Sequence, residues 1–211
     1  MGVITQGILG AVSGRIGPVV GGSWKGIAYL RGYQDQVAQP NTALQVAQKQ
    51  RMSIVVFMAK TILTTIIKPL NDRFAVRMSG YNLFVSRNIE HIDANGVVDF
   101  PSLVTAEGTL TGFDTLAATN ANGSADVDFT WVDNSGTGTA LATDEVYLWC
   151  FNSTNDAAGT LSGGVARSAA AATVTLSDVS TTNDDVNCYC AYRKANGFAV
   201  SNSEYLLVTT A

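Results

Sequence analysis

The side chains best suited to binding a ligand or partner are basic and aromatic residues within the first 51 positions. Basic side chains neutralise phosphates and aromatic rings stack on bases, so this mixture could bind nucleic acid. Five charges spread over 37 residues are sparse for such a role, and the same side chains could contact carboxylates on neighbouring subunits. We therefore expect assembly contacts first and genome contacts second. The candidate contact residues are Arg15, Trp24, Lys25, Tyr29, Arg31, Lys49 and Arg51.

Patterns typical of catalysis and metal binding are scarce. His91, the only histidine, falls at the end of a predicted helix, where a structural role is expected. The sequence contains no GxSxG, HExxH or P-loop motif. Asp126 with Asp128, or Asp184 with Asp185, could bind calcium in a loop, but acidic turns are usually only solvated. We expect no enzymatic activity, no cofactor and no metal.

Three cysteines, Cys150, Cys188 and Cys190, lack the spacing of a zinc site. They fall within predicted strands, where cysteine usually behaves as a small apolar core residue. Cys188 and Cys190 would share one face because side chains alternate along a strand. A disulfide from Cys150 to one of them is the alternative. Free thiols would fit assembly in a reducing cytoplasm.

Charge divides the chain into two contrasting halves. Residues 1–95 contain ten basic and four acidic residues, whereas residues 96–211 contain three and thirteen. A basic half could face nucleic acid, an acidic membrane surface or the acidic half of the next subunit. Charged residues make up only 14% of the chain, which is typical of a protein that buries much of its exterior against neighbours.

Residues 1–40 are predicted to form an extended, glycine-rich arm. Glycines recur every three or four residues and Pro18 would interrupt a helix. Fixing such an arm costs on the order of 30–60 kcal/mol of backbone entropy, which requires something over 1,000 Å² of buried apolar surface. We therefore expect the arm to lie on its own domain, to lie on other subunits or to stay mobile. Neither a cleavable signal nor a membrane span is predicted.

Residues 41–95 are predicted to be helical. Pro40 and Asn41 open the first helix, which Pro69 would end. A second helix is predicted to begin near Ser79. Apolar residues at spacings of three and four give each helix one core-facing stripe. These are Met52, Val55, Val56, Ala59, Ile62, Leu63 and Ile66 in the first helix, and Tyr81, Phe84, Val85, Ile89 and Ile92 in the second.

Residues 96–211 change to short runs of β-branched and aromatic residues separated by turn-forming residues. Asn196-Gly197 is a strong hairpin signal. Seven such runs predict an antiparallel sandwich like immunoglobulin or fibronectin type III domains. The fold class is therefore α+β, with an N-terminal extended arm and helical pair followed by this sandwich. The candidate strands are 103–110, 125–132, 144–151, 163–168, 171–177, 185–193 and 198–209.

The segment GILGAVSGRIGPVVGGSWKGIAYLRGY followed by QPNTALQVAQKQR resembles a family of uncharacterised proteins from Bacteroidota bacteria and their phages, known only as a domain of unknown function. The resemblance covers the first quarter of the chain strongly and the helices loosely. Gln39 replaces the usual Asn before Pro40, so the helix cap departs from the pattern. The matching residues are Gly17-Pro18-Val19-Val20-Gly21, Trp24-Lys25-Gly26, Arg31, Pro40-Asn41-Thr42, Gln45, Gln48 and Arg51.

This resemblance implies a component of a bacteriophage virion and carries over no catalytic residues. We expect a capsid, spike, decoration or tail subunit that is made in the host cytoplasm and assembles through its arm and helices. Its partners would be copies of itself and other virion proteins. The alternatives are a nucleic-acid-binding packaging protein that contacts the phage genome, and a host-surface adhesin whose sandwich loops bind a receptor or glycan.

Overall fold

The computed structural model describes residues 3–4, 12–24, 26–36 and 41–210. It is a mixed α+β protein with antiparallel sheets. The chain divides into two compact units, Met1–Thr42 and Ala43–Ala211.

The N-terminal unit contains one antiparallel sheet in the order β1-β2-β3-β4. Gly17 and Gly26, both with positive φ, lie in its two tight turns, where glycine adopts this conformation without steric cost. The structure therefore differs from the predicted extended arm, because the turns fold the segment back so that its strands hydrogen-bond to one another. The strands are β1 Val3–Ile4, β2 Val12–Ile16, β3 Val19–Trp24 and β4 Ile27–Gly32.

The C-terminal unit begins with the helices α1 (Ala43–Thr61), α2 (Lys68–Asn71) and α3 (Gly80–Asn88), with a π-helical turn at Leu63–Ile67. The prediction that Pro69 ends the first helix is wrong, because proline is tolerated in the first turn of a helix and lies inside α2. No single helix in the described residues is long and apolar enough to span a membrane. Only α1 with Leu63–Asn71, bent by 70°, meets those requirements as a pair.

Seven further strands form two antiparallel sheets, in the orders β5-β6-β9 and β11-β10-β7-β8. Predicted strand 103–110 is wrong, since this stretch contains no strand, and β5 lies a few residues beyond it. The other six predicted runs overlap observed strands. The strands are β5 Ala117–Asn120, β6 Asp126–Thr130, β7 Glu145–Asn152, β8 Ala158–Ala166, β9 Ala171–Thr175, β10 Asp185–Arg193 and β11 Glu204–Thr209.

Two hydrophobic clusters cover opposite faces of the four-stranded sheet. Val146, Leu148 and Cys150 of β7 belong to a cluster shared with the three-stranded sheet. Tyr147 and Trp149, which alternate with them, belong to a cluster shared with the helices, as strand periodicity requires. The predicted boundary at residues 95 and 96 therefore does not separate two units, because the helices and this sheet share one core.

Both predicted helical stripes enter this core for most of their length. Val55, Ala59, Ile62 and Ile66 are buried in the first stripe, and Phe84, Val85 and Ile92 in the second. Met52 is exposed instead, because the first half of α1 extends beyond the core. Ser79 caps α3 by accepting a hydrogen bond from the Asn82 N–H at 3.3 Å, which satisfies one of the free amides of the first turn.

Candidate assembly surface

The register of the N-terminal sheet places several predicted contact residues on one face. Arg15 pairs with Val20, which pairs with Arg31, so these three side chains form a row across β2, β3 and β4. Tyr29 lies opposite Gly22 and Ile27 opposite Trp24. Because directly paired residues point to the same side and side chains alternate, Arg15, Trp24, Tyr29 and Arg31 share a face. We call this the aromatic-basic face.

Arg15 is held by three contacts within its own unit. Its Nε donates to the carbonyl oxygen of Gly17 at 3.1 Å, and its guanidinium lies 3.4 Å from the centre of the Tyr33 ring. Its terminal nitrogen lies 3.7 Å from an Asp35 carboxylate oxygen. That ion pair is exposed and therefore adds little stability. The contacts orient the cation while leaving about half of the side chain, 51%, accessible.

Glycine shapes the aromatic-basic face at Gly22. A Cβ at this position would lie 2.9 Å from the Tyr29 hydroxyl, so the Tyr29 side chain occupies the space above the glycine. An aromatic residue opposite a glycine restores apolar contact that the glycine cannot supply. Trp24 and Ile27 are 68% and 71% exposed at the end of the same hairpin. This end of the sheet therefore presents apolar side chains to solvent.

The opposite face of the sheet is aliphatic and carries no charge in its described strands. Val12, Ile16, Val19, Gly21 and Leu30 surround a hollow of about 190 Å³. A Cβ at Gly21 would collide with the carbonyl oxygen of Val12, so only glycine fits at this position. Leu30 is 66% exposed. We call this the aliphatic face.

The other three predicted contact residues are not among the described residues of this sheet. Lys49 and Arg51 are on α1 in the C-terminal unit, and Lys25 lies outside the described residues. Around Lys49, the first half of α1 is largely solvent-exposed, including Leu44 at 84%. The predicted set is therefore divided between a sheet face and a helix.

Exposed apolar side chains are concentrated at the N-terminal end of the chain. Ten of the eighteen exposed large hydrophobic residues in the described part lie between positions 16 and 57, about one fifth of the sequence. Six of them belong to the N-terminal unit and four to α1, and each group offers apolar area for a contact. Sequence periodicity had assigned only Met52 of these to a core. They are Ile16, Trp24, Ile27, Tyr29, Leu30, Tyr33, Leu44, Val46, Met52 and Phe57.

The acidic residues considered for calcium are engaged by neighbouring side chains and amides. Asp126 accepts a hydrogen bond from the Thr175 hydroxyl at 2.7 Å, and Asp128 accepts one from Thr173 at 2.6 Å. The Thr181 N–H, 2.7 Å from Asp184, is the main cause of the lowered pKa of that carboxyl. No group of three or more potential metal ligands occurs within the described residues.

All three cysteines are buried and free. Cys150 and Cys188 lie opposite one another in the register of β7 and β10, and both belong with Cys190 to the core between the sheets. Burial raises the pKa of the Cys150 and Cys190 thiols well above the usual range. Because the thiolate is the reactive form, these are core residues, as predicted, rather than nucleophiles.

A groove of about 560 Å³ lies within the C-terminal unit, between α1 and the end of β7. Its walls include Phe57, Phe100 and Phe151, with Ser153 and Asp156 contributing polar atoms. The volume is in the range of ligand sites. Of the lining residues only Asp156 is charged, and no catalytic pair is among them. His91 is not among its lining residues and ends a short 3₁₀ turn, Ile89–His91.

Comparison with known proteins identifies one family over most of the chain. A family of unknown function (DUF6266) matches residues 11–207, which includes the helices and nearly all of the C-terminal strands. None of the curated proteins compared matches the chain in sequence. A solved structure, the fn3 domain of human collagen alpha-1(XX) chain, is 12% identical, with 48% of this chain and 86% of that domain covered and a TM-score of 0.36. A likeness this distant supports no conclusion about fold or function.

Proposed function

The chain belongs to DUF6266, a family of unknown function, and we propose that it is a non-enzymatic structural subunit of a bacteriophage virion. The exposed N-terminal surfaces favour an assembling subunit, and the resemblance of the first quarter of the sequence favours the virion. The subunit assembles through its N-terminal sheet and the exposed half of α1. A capsid, spike, decoration or tail position would each use such contacts. The partners are copies of the same chain and other virion proteins, after synthesis in the host cytoplasm.

The observation that carries this proposal is the exposure of both faces of the N-terminal sheet. A small sheet normally needs an apolar face packed against another element to be stable. In this sheet the large apolar residues Ile16, Trp24, Ile27, Tyr29 and Leu30 are 47%, 68%, 71%, 48% and 66% exposed. Their burial against a partner would supply the packing that the isolated sheet lacks.

The strand order supports a finer proposal, a fibronectin type III-like sandwich within residues 117–209. Counted from β5, its sheets have the orders 1-2-5 and 7-6-3-4. In constant-type immunoglobulin domains the fourth strand instead joins the first, second and fifth. The placement of β8 beside β7 thus favours the fibronectin arrangement. The loops of this sandwich would give a spike subunit its means of binding a host receptor or glycan.

The aromatic-basic face favours genome contact as a second candidate function. Arg15 and Arg31 could neutralise phosphates while Tyr29 and Trp24 stack on bases. This function predicts binding to single-stranded DNA that weakens steeply as salt rises, and that weakens at every salt concentration after Arg15→Gln with Arg31→Gln. Fluorescence anisotropy with a labelled oligonucleotide tests it. Absence of binding at low salt would remove this candidate.

A matched pair of triple variants tests the structural role. Trp24→Ser, Ile27→Ser and Tyr29→Ser together remove apolar area from the N-terminal sheet. Val132→Ser, Leu141→Ser and Leu207→Ser remove comparably exposed residues elsewhere, which are 51%, 50% and 50% exposed. Each full-length variant is supplied to particles that lack the native protein, and its copy number is measured by quantitative mass spectrometry of purified particles.

The N-terminal variant should be depleted from particles while circular dichroism shows the C-terminal unit folded. The control variant should be incorporated at the native level. Normal incorporation of the N-terminal variant would contradict assembly through this sheet. Absence of the native protein from purified particles would contradict the virion role itself.

A further inference from the structure

Strand β4 is an edge strand whose outer side carries no partner among the described strands. The sheet order ends at β4, and β3 alone pairs with it. Its sequence, IAYLRG, contains no proline or lysine, and all six residues are exposed. Its one charged residue, Arg31, lies on the aromatic-basic face. An edge strand without proline or a bulge is a template for pairing with another chain.

Two other edge strands show the protection that β4 lacks. β8 carries a register irregularity opposite Glu145 and Tyr147, and Gly163 and Gly164 within it both have positive φ. Such irregularities twist an edge away from further pairing. β5 is only four residues long, and shortness is itself a protection. The edge strands β9 and β11 have regular pairing but keep buried or half-buried residues. Because all six β4 residues are exposed, β4 is the edge suited to intermolecular pairing.

The hydrogen bond that follows β4 establishes which backbone groups of this strand point away from β3. The Tyr33 N–H donates to the Pro18 carbonyl oxygen at 2.6 Å, which extends the β3–β4 register by one hydrogen-bonded pair. Hydrogen-bonded and non-bonded pairs alternate along an antiparallel ladder. Ile27, Tyr29 and Arg31 therefore direct their N–H and C=O groups towards β3. The groups of Ala28, Leu30 and Gly32 point outward, towards the free edge.

We propose that β4 pairs antiparallel with β4 of a second copy of this chain, about a two-fold axis that passes between the two Leu30 residues. The pairing joins two N-terminal sheets into one continuous sheet. It rests on the proposed structural role and names the surface and the partner for one of the assembly contacts. A two-fold interface uses the same patch on both subunits, so one self-complementary edge is enough.

Backbone geometry and charge together select this register. Registers that keep each face continuous and are centred in the middle of β4 place Tyr29, Leu30 or Arg31 opposite its own copy. Because only Ala28, Leu30 and Gly32 offer outward groups, Leu30 on the axis gives about six intermolecular hydrogen bonds, and the other two registers give about four. Arg31 on the axis would also bring two like charges into direct opposition, which is destabilising.

The selected register also matches the side chains on both faces. Leu30 meets Leu30 of the second copy on the aliphatic face. On the aromatic-basic face, each Tyr29 lies opposite Arg31 of the other copy, where a guanidinium can lie over the phenol ring. Ala28 lies opposite Gly32, so no bulky pair separates the strands. The outward backbone groups and the side chains favour the same alignment.

Cysteine substitutions test the register in the full-length protein. Leu30→Cys places two thiols on the axis, within the Cα separation of about 4.4–6.8 Å that a disulfide spans. Ala28→Cys, on the same face two residues away, leaves its two thiols roughly 13 Å apart along the strands. Oxidised glutathione accepts the two electrons and is reduced to two glutathione molecules as the disulfide forms. The native cysteines are buried and free.

Leu30→Cys should yield a covalent dimer on non-reducing gels, and Ala28→Cys should remain monomeric. Ala28→Pro provides an independent backbone test, because it removes an outward N–H without touching the bonds to β3. Two of the intermolecular hydrogen bonds are lost in each dimer, which should raise the dimer dissociation constant about tenfold or more. Ala28→Val retains the N–H and should leave this constant within about threefold of the native value. Analytical ultracentrifugation measures it.

Three results would overturn the pairing: equal crosslinking of both cysteine variants, no crosslinking of Leu30→Cys, or native dimerisation of Ala28→Pro. If oligomers or particle incorporation persist in those cases, the structural role stands and only the β4 contact is wrong. A native chain that is both monomeric and absent from particles would refute the pairing and the proposed function together.

Discussion

Arg167 offers the sharpest test of how the C-terminal unit is held together. Its side chain and that of Asp144 are both fully buried, with their nitrogen and oxygen 3.2 Å apart. The guanidinium also donates to the carbonyl oxygens of Thr111 at 2.8 Å and Gly112 at 3.0 Å, and it lies 3.6 Å from the centre of the Tyr192 ring. The Arg167 guanidinium thus links the loop at Thr111–Gly112 and the residue Asp144 to Tyr192 of β10.

Replacing Arg167 with Met keeps most of the volume but removes every one of these interactions. Breaking a buried pair from one side costs about 3–5 kcal/mol, because the remaining charge is left buried and unpaired. Asp144 retains one donor, the Leu141 N–H at 2.8 Å, which reduces the cost towards the lower end. We therefore expect Arg167→Met to lower the free energy of unfolding by about 3–4 kcal/mol.

Urea denaturation at pH 7, followed by tryptophan fluorescence, measures this change. Glu107→Gln is the matched control, since it breaks the Arg87–Glu107 pair at 2.8 Å, where Glu107 is 65% exposed. An exposed pair of that kind is worth about 0–1 kcal/mol. A loss below about 1 kcal/mol for Arg167→Met would refute the reasoning, because it would make the buried pair no more important than the exposed one.

Two further predictions concern particular residues. The pKa of Asp184 is lowered in the folded state, chiefly by the Thr181 N–H, so its stabilisation is present above the unfolded value of about 3.9 and is lost as pH falls through the folded value. The stability deficit of Asp184→Asn in urea should therefore shrink as pH falls from 7 to 3; a constant deficit would contradict this. Gly21→Ala should raise the amide hydrogen-exchange rates of β2, β3 and β4, because its Cβ would collide with the Val12 carbonyl oxygen. The exchange rates of the C-terminal unit should stay unchanged. Gly32→Ala, where a Cβ meets no atom within 4 Å, should exchange as the native protein does, and equal exchange in both variants would contradict the close approach.

Strand periodicity predicted the C-terminal sheets well where both faces of a strand are buried. In β7 the two alternating sets, Val146 and Leu148 against Tyr147 and Trp149, enter two different cores. The prediction at 103–110 was wrong because Leu103 and Ala106 are buried against the helices without being paired in a sheet. Apolar composition indicates burial, and only hydrogen bonding to a neighbour makes a strand.

The N-terminal segment shows the opposite difficulty. Its frequent glycines predicted an unpaired arm, yet glycine at Gly17 and Gly26 produces turns and at Gly21 permits close approach. The shared face of Arg15 and Arg31 depends on the register across β3, which composition does not specify. Arg167 could not be identified either, since nothing in its local sequence indicates that an arginine there is fully buried.

Because the helices and the four-stranded sheet share one core, the C-terminal sheets are not expected to fold when they are separated from the helices. A polypeptide beginning at residue 96 would uncover Trp149 and Tyr189, which are 1% and 2% exposed and stack at 4.8 Å. That fragment should aggregate unless residues 43–95 are supplied in trans. The helices and the two C-terminal sheets must therefore be transferred together if this unit is to fold in another protein.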